Sequence, residues 1–453
     1  MISAEKLDQA IARAGGAVSL LRNSPIRPHT FPVVAEFTNW RSEQRAWRDS
    51  CVLLDQSHHM TDLYVSGPDA LRVLSDLGVN SFANFVPGKA KQYMAVNHEG
   101  HLIGDAVLFH LEEQAFDLVG HPMVLDWVQY NLETGDYDAV SKRDDNSFDR
   151  CAGPPVVYRY ELQGPTAVSV LEKVTGAPVP EVKFFNMADF TIAGCRVRGL
   201  RHGMAGQPGY ELFGPWEDGD KVRDALLSAG QEFGLARVGA KAYSTANLES
   251  GWIPSPLPAI FSGEKLKGYR EWLPTSAMGS LGGSMDSPDI EDYYVTPYDV
   301  GYGRMVSFDH DFVGRDALLG ISKSPRREKV TLVWNSDDVA DAMGSLYRPG
   351  PPAKYIELPK ARYALHQCDK VLSNGTLVGI SMDAGYVANE HLMVSLATVD
   401  ISHCRPGTEV TVVWGEDPNS TKPLVESHQQ VHIRASVAPA PYVRFAREGY
   451  RAQ

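Results

Sequence analysis

The sequence predicts an α+β protein made of two related α+β modules and a C-terminal β-rich unit. Two observations predict it. Leu63-Tyr-Val-Ser-Gly-Pro-Asp-Ala-Leu-Arg-Val-Leu74 resembles Tyr160-Glu-Leu-Gln-Gly-Pro-Thr-Ala-Val-Ser-Val-Leu171, 97 residues further on. From about Lys329 the pattern turns to alternating β segments separated by glycine and proline. Each copy of the repeat reads as a strand, a Gly-Pro turn and a helix with its proline in the first turn. The spacing is too long for a solenoid. The copies are therefore expected as a pair of modules, residues 1–158 and 159–327, with residues 328–453 as the third unit.

Taken in order, Ala4–Arg22 carries apolar residues at Leu7, Ile11, Ala14, Val18 and Leu21, the spacing of one amphipathic helix. The proline-rich connector Ser24–Pro32 cannot be regular structure and leads into a helical Arg41–Asp49. Gln92–Asn97 and Asp105–Leu111 alternate as strands around the turn Asn97–Gly100. Phe116–Gly120 is a third strand, and His121–Tyr130 reads as a helix. Near the C-terminus, Val330–Trp334, Gly375–Ser381, Leu392–Val399 and Glu409–Trp414 suggest a small β-sandwich or barrel.

The chain has 453 residues, 43% hydrophobic and 22% charged, with a formal charge of −13. It can bury a sizeable core without disulfides or metals. The negative charge disfavours nucleic acid and anionic membranes as partners. Five cysteines without zinc spacing read as buried free thiols in a reducing compartment. Neither a secretory signal nor an apolar run approaching roughly 18 residues is visible, so a cytoplasmic location is expected.

No Walker A loop, dinucleotide fingerprint, HExxH or nucleophile elbow stands in a supporting context. Gly279-Ser-Leu-Gly-Gly-Ser284 lacks a following Gly-Lys-Ser/Thr and reads as a mobile loop. What remains is Gly206–Phe213 and Ala242–Ala259. In the first, a glycine turn delivers Tyr210 and Glu211 into a strand. A carboxylate there could accept paired hydrogen bonds from an aminopyrimidine edge. In the second, Tyr243, Glu249 and Trp252 precede a proline run.

Gly209-Tyr-Glu211 resembles the signature of the glycine cleavage T-protein and its folate-dependent relatives. Asn247-Leu-Glu-Ser-Gly251 is similar to their Arg-x-Glu-x-Gly segment, with Asn247 in place of the arginine. Phe312–Leu318, Gly375–Ser381 and Gly385-Tyr-Val387 also resemble family segments. Ala35–Trp40, Asp55–Met60 and Glu249–Pro258 further resemble the folate-dependent aryl O-demethylases, which act on syringate, vanillate or 3-O-methylgallate. The resemblance implies a three-domain T-protein-like fold, the two modules around a central folate channel and the β-barrel or sandwich behind. It implies a methyltransferase that moves a methyl group from a methoxybenzoate to N5 of tetrahydrofolate, with no metal.

It also implies roles. Gln56, Val119, Glu211 and Trp252 would contact tetrahydrofolate. Tyr210, beside Glu211, and Asp105, where T-proteins carry a functional aspartate, join the folate group. Tyr243 would protonate the departing phenolic oxygen, worth about 10²–10⁴-fold; its ordinary pKa of about 10 suits a phenolic leaving group. His59 would orient the substrate hydroxyl or support Tyr243. His29, Phe31 and His121 would line the aromatic substrate, the two histidines reading its carboxylate or a methoxy group. The vanillate enzymes carry an arginine where this chain has His121, which favours syringate. Two rival readings keep the fold: transfer from an amine or sulfonium donor, and a folate-binding accessory protein without chemistry.

Overall fold

The two copies of the repeat share an unusual backbone angle. In the computed structural model, which describes residues 5–416 and 422–449, Gly67 and Gly164 adopt φ of 127° and 128°. A side chain at either would strike backbone, 2.8 Å from Asp138 O or 2.5 Å from Ser50 O. Only glycine fits there. The prolines that follow lie just before the N-cap residues Asp69 and Thr166, outside the first turn where they were expected.

Eleven strands build two sheets. They are β1 (Cys51–Asp55), β2 (Thr61–Ser66), β3 (Ala90–Val96), β4 (Leu102–Glu112), β5 (Ala115–Gly120), β6 (Val140–Asp144), β7 (Val157–Gln163), β8 (Met187–Ile192), β9 (Cys195–Arg201), β10 (Gly209–Pro215) and β11 (Leu235–Val238). The first sheet runs β3-β4-β5-β2-β6 and the second β8-β9-β10-β7-β1-β11. With the repeat strands β2 and β7 superposed, the first five places correspond one to one. The fifth place of the second sheet is filled by β1, antiparallel to β7 and parallel to β11. A strand from the start of the chain thus crosses the boundary expected at residue 158.

The helices up to Ser250 are α1 (Leu7–Arg13), α2 (Ala17–Arg22), α3 (Trp40–Asp49), α4 (Ala70–Leu77), α5 (Pro122–Thr134), α6 (Ala167–Thr175), α7 (Gly219–Gly230), α8 (Ala240–Tyr243) and α9 (Ala246–Ser250). The single helix expected over Ala4–Arg22 is two. Gly15 and Gly16, both at positive φ, break it, and Ala4 lies outside the described residues. α4 and α5 bury Val73, Leu74, Val124 and Val128 over the first sheet; α6 and α7 bury Val170, Leu171, Val222 and Leu226 over the second.

Nine further strands follow: β12 (Leu281–Gly282), β13 (Arg327–Trp334), β14 (Lys360–Ala361), β15 (His366–Gln367), β16 (Asp369–Ser373), β17 (Thr376–Val387), β18 (Leu392–Asp400), β19 (Glu409–Trp414) and β20 (Val431–Pro439). Six close on themselves in the order β17-β16-β19-β20-β13-β18 and back to β17, with β14 attached to β17. The β-rich unit is therefore a barrel, with Trp334 and Trp414 buried inside it. The glycine run 279–284 is not a loose loop. β12 pairs with β15, and Ser280, Leu281 and Ser284 are buried. All five cysteines are free; Cys151 is exposed, against the expectation of buried thiols. Among the described residues, no helix is long and apolar enough to cross a membrane.

The inner faces of the two sheets meet around Arg159 of β7. It bonds Asp62 of β2, Asp117 of β5 (2.8 Å) and Glu211 of β10 (3.0 Å). The rings of Phe109 and Phe213 lie 5.3 and 5.0 Å from the guanidinium carbon. All four ionic groups are buried. Removing one member of a buried ion cluster strands the rest and costs about 3–5 kcal/mol. Arg159→Met is expected to lower the unfolding free energy by about that amount in urea titration, and a loss below ~1 kcal/mol would remove the cluster from its structural role.

Candidate active site

Four segments converge on one aromatic strip. α8 is a single turn ending at Tyr243, and it is held from the connector. Val34 O and Ala35 O accept hydrogen bonds from the backbone N–H groups of Ala240 and Lys241, and Glu43 accepts one from Gly239. This fixes Phe31 and His29 beside the turn that follows β1. There His59 meets Tyr243: the hydroxyl lies 2.6 Å from His59 Nε2. Phe31 stands edge-on to His59 at 6.0 Å, and His29 edge-on to Phe31 at 6.3 Å. His29 also stacks on Phe148 at 4.0 Å. The structure thus joins Tyr243, His59, Phe31 and His29, all partly exposed, into one lining.

Burial pushes the His59 imidazole down to about 4, with His58 and Arg159 adding to it. The ring is therefore neutral at neutral pH and accepts a hydrogen bond from the Tyr243 hydroxyl. Burial, with the negative fields of Glu161 and Glu211, raises the Tyr243 pKa well above its ordinary value. The expected match to a phenolic leaving group is therefore corrected. Tyr243 holds its proton firmly and is suited to donate a hydrogen bond more than to surrender the proton.

On the other side of Tyr243 lies an acidic wall. Glu211 and Glu161 face each other directly across β10 and β7. Both Glu161 carboxylate oxygens lack a close hydrogen-bond partner, with His202 Nδ1 3.7 Å away, and Gln56 is buried with its amide toward Tyr243. Burial raises the Glu161 pKa. Glu161, His202 and Glu211 each bring one ligand atom within 4.8 Å of the others, a spacing that could also hold a cation. Val119 lies on the same strand face as Asp117, opposite Asp62, and packs against Phe213. Tyr210 is the exception. Adjacent strand residues point to opposite faces, so Tyr210 turns away from Glu211 into the core and packs edge-on against Phe190 at 5.6 Å.

Asp105 on β4 organises the third side. One oxygen accepts hydrogen bonds from Gln92 Nε2 (2.6 Å), Trp252 Nε1 (2.9 Å) and the Tyr302 hydroxyl (2.7 Å). This fixes the Trp252 ring, and burial raises the Asp105 pKa. Asn247, at the family's arginine position, accepts from Lys360 Nζ (2.9 Å) and donates to Asp383 (2.5 Å). A cation from the barrel unit thus stands next to the missing one. Glu249 ties α9 to α3 through Arg48 Nε at 3.0 Å and to the barrel through Asn389 at 2.8 Å.

His121, the N-cap residue of α5, lies apart from His59, in a basic corner with His29, His366 and Arg362. Burial, with these neighbours, pushes His121 down to about 3. Arg159, Asp62, Asp117, Glu161, Gln92, Tyr302 and Arg362 were not foreseen. Arg159 and Glu161 were within reach, because they are charges at alternate positions of a strand that otherwise reads apolar.

Residues 10–255 match the GCVT N-terminal domain family. The chain belongs to the GCVT family. It is 47% identical over 452 residues to syringate O-demethylase of Sphingobium sp., covering 99% of this chain and 98% of that one. It is 32% identical to sesamin methylene transferase of Sinomonas sp., covering 84% of each. It is 28% identical to an aminomethyltransferase of Streptomyces avermitilis, covering 81% and 83%. The crystal structure of glycine cleavage system aminomethyltransferase T from Bartonella henselae superposes with a TM-score of 0.59 at 20% identity, covering 92% and 91%. The T-protein-like fold that the resemblance implied holds, and so does the enzyme class it implied, a methyltransferase.

The two depressed histidines set a pH dependence. An unfolded histidine titrates near 6.5. From about pH 6.5 down to about 4 the unfolded chain binds protons that folded His59 and His121 refuse, so stability falls as pH falls. At pH 5 each is expected to cost ~1–2 kcal/mol relative to pH 7. Urea unfolding of His59→Asn and His121→Asn should show a shallower loss over this window than the parent; equal slopes would contradict it.

Proposed function

We propose that the protein is a tetrahydrofolate-dependent O-demethylase of a lignin-derived methoxybenzoate, with syringate ahead of vanillate and 3-O-methylgallate. The observation that supports it most is the Tyr243–His59 hydrogen bond, set between an aromatic lining and the acidic wall. The identity to syringate O-demethylase over nearly the full length favours the same substrate class.

The acidic wall fits a pterin. Glu161 and Glu211 present acceptors, and Gln56 Nε2 is a buried donor beside Tyr243. An aminopyrimidinone edge offers the reverse set, N–H donors beside one carbonyl. Trp252, held by Asp105, offers a face for ring stacking. When bound, tetrahydrofolate would supply N5–H as methyl acceptor and leave as 5-methyltetrahydrofolate; the proton lost from N5 balances the departing phenolate, so the net second product is a phenol.

The protein's share is alignment and stabilisation of the leaving oxygen. Glu211, Glu161 and Gln56 hold the acceptor ring at one end, and Phe31, His29 and His59 hold the aryl ring at the other. Holding acceptor, methyl and oxygen in line can supply up to ~7–11 kcal/mol. Tyr243 turns its hydroxyl from His59 to the ether oxygen and donates a hydrogen bond to the charge that develops there. Neutral His59 steers the hydroxyl and takes no charge of its own.

Purified protein with tetrahydrofolate and syringate is expected to release the demethylated phenol and 5-methyltetrahydrofolate, followed by chromatography. Turnover of none of the three methoxybenzoates would sink the proposal. Tyr243→Phe should lower kcat by about 10²–10³-fold, the size of one lost oxyanion donor, with unchanged affinity for tetrahydrofolate. A full rate in this variant would take the role from Tyr243.

A further inference from the structure

Arg362 stands in the short segment between β14 and β15 and forms no ion pair among the described residues. Its nearest contacts are long, 3.4 Å from Nη2 to Ser255 Oγ and 3.5 Å to Leu365 O. The acid that influences it, Asp383, is already engaged by Lys360 Nζ and Asn247 Nδ2, both at 2.5 Å. Arg362 is half-buried as a residue, and protein surrounds its guanidinium. Three histidines share its corner: His29, His121 and His366. His366 Nδ1 lies 3.2 Å from Ser255 O, on the residue whose hydroxyl Arg362 touches. The His121 side chain makes no capping bond to α5 and is left to other partners.

We propose that Arg362 is the clamp for the carboxylate of the aromatic substrate, with His121 beside it as a further hydrogen-bonding group. This rests on the demethylase reading given above. A hemmed-in guanidinium without a carboxylate is costly, and an anion that enters relieves the cost. Its planar fork matches a carboxylate bidentately. Burial, with the Arg362 charge, lowers the pKa of His29, His121 and His366, with Asp149 opposing it at His29, so Arg362 is the cation that all three imidazoles sense. Its position suits an aryl acid: the Arg362 charge reaches His29, whose ring continues through Phe31 and His59 to Tyr243. The sequence offered His29 and His121 as readers of the carboxylate or a methoxy group; the cation beside them comes from the barrel unit.

The test compares syringate with its methyl ester, which keeps both methoxy groups and loses the charge. In Arg362→Gln the ratio of kcat/KM for acid over ester is expected to fall about 10²-fold, carried by KM of the acid. Arg362→Lys, which keeps the charge without the fork, should lie between. An unchanged ratio, or an equal loss on acid and ester, overturns the clamp. Calorimetric titration of syringate into protein without tetrahydrofolate separates this from the activity. Binding that Arg362→Gln abolishes keeps the clamp even where no demethylation is seen, and equal binding by parent and variant overturns it. A second arm uses tetrahydrofolate and tetrahydropteroate, which lacks the glutamate. A loss in Arg362→Gln confined to tetrahydrofolate would assign the arginine to the folate tail and overturn the proposal.

Discussion

The geometry of the site depends on the ion cluster at Arg159. One buried guanidinium joins Asp62 and Asp117 from the first sheet to Glu211 from the second. Asp62 and Arg159 hold equivalent places in the two repeats, as do Asp117 and Glu211. Paired repeats with like charges here would repel. Instead, one copy carries a cation where the other carries an acid. Three carboxylates still exceed one arginine, and burial together with Asp62 holds the Asp117 pKa far above the usual carboxylate range. The arginine stays charged because its three acids outweigh the burial that opposes it. Glu211 is thereby pinned on one side, with its other side turned to Glu161 and Tyr243.

From that wall the site has a polarity. Acids stand at one end, around Glu161 and Glu211, and a guanidinium with neutral imidazoles stands at the other. The Tyr243–His59 pair lies between them. For the two occupants proposed above, an N–H-rich heterocycle and an aryl acid, such an arrangement would discriminate by charge before shape is tested. The imidazoles serve by being uncharged: a protonated His59 could not accept from Tyr243.

Much of this was legible in the sequence, for identifiable reasons. The Gly-Pro turns of the repeat are legible because a forbidden backbone angle leaves only glycine. The barrel was legible because strands alternate with a period of two. Tyr243 and His59 were legible as a pair only through family resemblance, since nothing local marks a contact across 184 positions. Tyr210 misled because a motif read as adjacent letters ignores the pleat that sends neighbours to opposite faces. Arg362 was invisible because its segment carries no motif and its partners come from three other parts of the chain. The two-helix N-terminus was misread because apolar spacing ran on past Gly15 and Gly16.

The place of β1 bears on how the chain is made. Cys51–Leu54 lies between β7 and β11, beside Gln163–Glu161 on one edge and Leu235–Val238 on the other. A ribosome delivers those neighbours more than a hundred residues later. The first half of the nascent chain therefore emerges with a buried-type strand that has no sheet to enter. Late pairing of this kind slows folding and prolongs the exposure of an apolar edge. The same link means that neither half of the chain can be excised as an intact unit. Shared custody of β1 makes the two halves a single folding commitment, settled only once residue 238 has left the tunnel.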